Sequence, residues 1–172
     1  KDDGRILVVL DCCLSFLPSS FLSQNFDAII TFLSKHFCMD DQRLVLKELS
    51  IQLSILSVFP TKKNCILRLV GETLHCLSTQ ALEDAIIDAF LALVKKRQKV
   101  IGSGWFEHTK IVQSILFDVF TSANGNRSLA AMELLLKIGD SLDYLKESVL
   151  WNTLFDKIES GHCADMVLFS KC

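Results

Sequence analysis

Apolar residues recur along this chain at intervals of three and four almost from end to end, and the short strict alternation of a half-buried strand is missing. The pattern predicts an all-α protein. A first helix follows Asp2-Asp3 and turns Ile6, Leu7, Leu10, Cys13, Leu14 and Leu17 to one side, until Pro18-Ser19-Ser20 ends it. A second runs from about Ser23 to Phe37, with Phe26, Ile29, Ile30, Leu33 and Phe37 inward. The third opens on Asp40-Asp41, residues that cap helix starts, and carries Leu44, Val45, Leu49, Leu53 and Leu56 before Pro60. Thr61 is placed to cap the fourth, whose inward positions are Leu67, Val70, Leu74 and Leu77.

The fifth helix begins after Ser78-Thr79, points Leu82, Ala85, Ile86, Ala89, Phe90, Leu93 and Val94 inward, and ends in cations that suit the negative pole of a helix. Gly102-Ser103-Gly104 breaks the chain before a sixth helix bearing Ile111, Ile115, Val119 and Phe120. Asn124-Gly125-Asn126 signals a turn, and a seventh helix runs from Ser128 to Ile138 with Gly139 at its end. Two shorter helical stretches follow, around Leu142–Leu145 and Val149–Ile158, with Trp151 as core.

These helices come in pairs with a period. First helices open near Asp2, Asp40, Ser78 and Asn126, a spacing of roughly 40 residues that lengthens toward the end. The units are therefore roughly 2–38, 40–78, 79–122 and 126–160. The first two share an opening, Asp2-Asp3-Gly4-Arg5-Ile6-Leu7 against Asp40-Asp41-Gln42-Arg43-Leu44-Val45, and each then reaches a proline, Pro18 and Pro60. In period and helix-pair pattern, though not in a specific consensus, the chain resembles the HEAT and armadillo repeat proteins. The later units lack the Asp-Asp-x-Arg opening, and the glycine loop interrupts the third. The resemblance implies one repeat domain over residues 1–172, an α-solenoid of stacked antiparallel helix pairs. A closed helical bundle is the alternative, since it too strings amphipathic helices on short turns. Because periodicity begins almost at Lys1, the chain reads as a segment of a larger protein.

Composition narrows the class. Half of the 172 residues are apolar and 22% are charged, which excludes a disordered tail. A net charge of −2 gives no global reason to expect nucleic acid. Seven cysteines (Cys12, Cys13, Cys38, Cys65, Cys76, Cys163, Cys172) are an odd number without framework spacing, which suits an intracellular, reducing compartment, cytoplasm or nucleus. The longest stretch without a charge, Cys12 to Phe26, holds Pro18 and several serines and is too short for a bilayer, which takes about 20 residues. No membrane association is expected.

No phosphate loop, dinucleotide fingerprint, zincin helix or nucleophile elbow is written in the chain, so neither an enzyme nor a cofactor is expected. Glu-x-x-His occurs twice, Glu72/His75 and Glu159/His162, the spacing of a di-iron ligand pair, with Glu48 and Glu133 as nominal further carboxylates. Ser160-Gly161 interrupts the second pair, and His75-Cys76 and His162-Cys163 lack the Cys-x-x-Cys pair of a zinc site. Lys95-Lys96-Arg97-Gln98-Lys99 is the one dense charge run. It reads as a solvated helix end, as a short nuclear-import pattern, or as a basic ridge for phosphate or an acidic partner, comprising Lys62, Lys63, Lys95, Lys96, Arg97 and Lys99. Trp105-Phe106 is either an exposed anchor or a staple of the following helix.

The expected function is a non-enzymatic protein–protein interaction scaffold holding a partner peptide or helix along its second helices. Candidate contacts are Lys35, His36, Arg68, Glu72, Trp105, Phe106, His108 and Lys110. The alternative is a scaffold in a nuclear, nucleic-acid-associated complex of genome maintenance, using the basic edge.

Overall fold

The computed structural model describes residues 3–14, 16–35, 41–59, 63–123, 125–138 and 144–159, and over these the protein is all-helical. The helices are α1 (Asp3–Leu14), α2 (Ser19–Gln24), α3 (Phe26–Lys35), α4 (Gln42–Val58), α5 (Lys63–Ser78), α6 (Asp84–Ile101), α7 (Thr109–Ser122), α8 (Asn126–Ile138) and α9 (Tyr144–Glu159).

The helices pack in two rows, and in the first α1 lies on α4, α4 on α6 and α6 on α8. A second row follows, α3 on α5 and α5 on α7, and the rows are tied by α4 against α5, α6 against α7 and α7 against α8. Apolar side chains from both rows share one core. Leu49 and Leu53 of α4, Leu74 of α5, Phe90 and Val94 of α6 and Val112 of α7 line the same interior space.

Polar side chains tie neighbouring helices within each row. Lys47 pairs with Asp11 at 2.5 Å, Gln42 bonds Ala81 O and the Glu83 N–H, and Arg97 donates to Ser54 Oγ. His108 meets Leu67 O, and Arg127 forks onto Asp88. These links span 36 to 43 residues each. Gln42 ties the start of α4 to the start of α6, while Ser54 and Arg97 join their later turns, so neighbours in one row run parallel.

Helix ends follow local chemistry. Asp41 caps α4 as its type predicts, its Oδ1 accepting from the Arg43 and Leu44 N–H groups at 3.0 and 3.4 Å. Gly125 has φ +60°, the left-handed turn that glycine permits, and Ser128 then donates its buried hydroxyl to Phe120 O at 2.8 Å. That hydroxyl is enclosed at the corner between α7 and α8, while Asn126 at the start of α8 is exposed.

Several expectations need correction. The helix read over Ser23–Phe37 is two, α2 and α3, because the Asn25 amide donates to Phe21 O at 2.9 Å and competes with the helical ladder. Pro18 precedes the first residue of α2, where its fixed φ is an asset. α6 starts at Asp84, not after Ser78-Thr79, whose hydroxyls fold back onto His75 O and Cys76 O at the end of α5. The two short stretches at the end are one helix, α9. Trp151 is 43% exposed, whereas Leu154, among the α9 side chains described, is buried. Phe37, Asp40, Pro60, Thr61 and Gly139 lie outside the described residues.

Candidate interaction surface

The loop between α6 and α7 divides the Trp105-Phe106 pair between two roles. Phe106 is 3% exposed and packs edge-on against His108, with ring centroids 5.9 Å apart. Trp105 is 40% exposed, and the Lys63 ammonium lies over its ring at 5.6 Å. The staple reading fits Phe106, and the surface reading fits Trp105. The Lys63–Trp105 contact also places the turn of the second unit beside that of the third.

His108 works at the seam between α5 and α7. Its Nε2 lies 2.7 Å from Leu67 O, and its ring covers Gly71 so closely that a Cβ there would sit 2.6 Å from Cε1. Gly71 is therefore the residue that lets the imidazole in. Arg68 and Glu72 form an exposed pair at 3.8 Å on the same helix, worth little in water. Lys35 and Lys110 are exposed, and His36 lies outside the described residues.

The basic run does not act from one face. Lys95 stands beside Glu133 across the furrow between α6 and α8. The Glu133 carboxyl is held below the ordinary range, mainly by its hydrogen bond from Lys137 and to a lesser degree by the Lys95 charge. Arg97 points the other way, donating to Ser54 Oγ at 2.6 Å, and its buried Nε has no hydrogen-bond partner among the described residues. Lys96 and Lys99 are exposed, Lys63 is committed to Trp105, and Lys62 lies outside the described residues.

A furrow of about 390 Å³ lies between α4 and α6. Leu46, Ile86 and Leu93 floor it, while Ser50, Ala85 and Ala89 are too small to fill it. Arg43 and Lys47 stand at its edge. On the far side of α6, Arg127 engages Asp88 bidentately at 2.7 and 2.8 Å and Asp84 at 2.8 Å. Its hydrogen bonds and charge hold the Asp88 carboxyl low and push the guanidinium pKa up.

Sequence reasoning passed over a buried polar chain at the α4–α5 contact. Glu48 is 3% exposed, Gln52 donates to its Oε1 at 3.3 Å, and the Thr73 hydroxyl lies 3.1 Å from Gln52 Oε1 and 2.9 Å from Leu69 O. The available signal was Gln52 itself, a polar residue within the apolar stripe Val45, Leu49, Leu56. Glu72 and His75 lie on the exposed side of α5, apart from Glu48, and Glu133 is engaged by Lys137; His162 lies outside the described residues. Among the described residues no group of three or more His, Cys, Asp or Glu is placed to hold a metal ion. Cys12, Cys13 and Cys65 are free thiols, Cys76 Sγ accepts from the Gln80 amide at 3.2 Å, and no described helix is long and apolar enough to cross a membrane.

Compared with known proteins, the chain matches no family model, no curated protein and no solved structure.

Proposed function

We propose that the chain is a non-enzymatic interaction scaffold, an open α-solenoid of HEAT or armadillo type that presents a partner-binding surface along stacked helix pairs. One observation carries this reading: the polar links between units advance by 36 to 43 residues each, one repeat at a time. A translated stack produces such a constant step. A closed bundle would add links between its first and last helices.

Spin labels on α1 at Val9 and on α8 at Leu136, with the exposed Cys12 and Cys65 replaced by serine, test the architecture. Three helix spacings of about 8–10 Å separate α1 from α8 in an open row, roughly 24–30 Å in all. A distance near a single helix spacing rejects the solenoid.

The nucleic-acid reading needs the lysine run to meet phosphate as one ridge. With Lys95 turned to Glu133 and Arg97 to Ser54, the protein-binding reading is better supported. DNA binding that weakens steeply with salt would reverse that preference.

A further inference from the structure

We infer that the furrow between α4 and α6 is a docking site for an acidic amphipathic helix of a partner protein; this rests on the scaffold reading proposed above and locates its binding face on the first-helix row. The furrow's volume of about 390 Å³ falls within the range of ligand pockets, and its apolar floor asks for aliphatic side chains. The lining on α6 runs from Ala85 to Leu93, a length of about 12 Å at the helical rise, which suits two turns of a docked helix.

Charge selects the kind of helix. Asp11 is engaged by Lys47, Asp84 and Asp88 by Arg127, and Asp41 caps α4, while the exposed Glu83 at the start of α6 lies outside the furrow's lining. The cations are not balanced in the same way. Arg43 and Lys96 make no ion pair among the described residues. Arg97 is held by a neutral hydroxyl rather than a carboxylate. The charged side chains that line the furrow, Arg43 and Lys47, are both cations, so positive charge stands along the α4 edge of an apolar trough. A helix with leucines on one face and glutamates beside them satisfies both features, whereas a basic helix would meet unscreened repulsion.

The test uses a fluorescein-labelled helical peptide with leucines on one face and glutamates elsewhere, alongside the same peptide with lysines for glutamates. Binding to the full chain is read by anisotropy. The glutamate peptide should bind at least about tenfold more tightly than the lysine peptide and weaken as salt rises. Ala89→Trp fills the trough from an exposed position and should cost about tenfold or more. Arg43→Glu places an acid in the first turn of α4, which the helix tolerates, and should cost about fivefold. Arg68→Glu, on the second-helix row, should leave affinity within about twofold.

Equal affinity for the two peptides, no binding of the glutamate peptide at millimolar concentration, or insensitivity to both Ala89→Trp and Arg43→Glu overturns the furrow. Loss of binding at Arg68→Glu alone moves the site to the second helices and also overturns it. The scaffold reading survives any of these results and falls only with the spin-label distance. Thermal melts of each variant separate blocked binding from unfolding.

Discussion

The two middle pairs and the outer helices carry similar apolar content but use it differently. On α5 and α6 every Leu, Ile, Val and Phe except the half-buried Val100 is buried, whereas α1 leaves Ile6 and Val9 45 and 60% exposed, and Phe16 just beyond it reaches 86%. α9 likewise exposes Val149, Trp151 and Phe155. Composition does not explain the difference; neighbours do. α4 has α1 on one flank and α6 on the other, while α1 packs against α4. Ile6, Val9 and Cys13 follow one another at helical spacing on the side of α1 away from the buried Leu7. An apolar residue thus becomes core only when the row supplies a helix on its side.

Core truncation should break this comparison most sharply. Phe90→Ala or Phe120→Ala removes a fully buried ring and should cost about 3–5 kcal/mol in urea unfolding. Ile6→Ala and Val9→Ala should each cost less than about 1 kcal/mol. Equal costs at centre and edge would mean that burial does not follow the rows.

Gly71→Ala comes next, within the middle pairs. A methyl 2.6 Å from the His108 ring forces α5 and α7 apart and should cost about 1–3 kcal/mol. In a double-mutant cycle, combining it with His108→Ala should cost less than the sum of the two single changes, because the clash is gone. Additive costs would show that ring and glycine do not meet. Thr73→Val keeps the side chain's shape but leaves Gln52 Oε1 without its hydroxyl, and should cost about 1–2 kcal/mol.

The smallest effect lies on the surface, at the α6–α8 link. Asp88 is held below its ordinary pKa by Arg127, so their pairing stabilises at neutral pH and is lost as the pH falls through that lowered value. Following the Asp88 carboxyl by NMR, Arg127→Leu should raise its titration midpoint toward the ordinary aspartate range. An unmoved midpoint would place the cause elsewhere.

The helical class, the Asp41 cap, the Gly125 turn and the starts and ends of most helices were legible because each depends on a few adjacent residues. The α2–α3 break was not: Asn25 sits in an apolar run, and its amide bond to Phe21 O is a choice between two partners that spacing does not rank. Ser78 and Thr79 look like caps of the next helix, but they serve the previous one. The basic run was visible as composition, yet its division between Glu133 and Ser54 depends on which helices flank α6. His108 over Gly71 and Arg127 over Asp84 and Asp88 join residues 37 to 43 positions apart, which no local pattern connects.

The short, constant reach of the links between units bears on how the chain acquires its shape. Ties that span no more than 43 residues demand only modest loop closure, so a pair can form early and template its neighbour without waiting for a distant terminus. In the stack proposed above, fraying under increasing denaturant should start at the outer helices and advance inward, giving hydrogen-exchange protection graded from the middle helices outward, and one all-or-none transition would count against that stack.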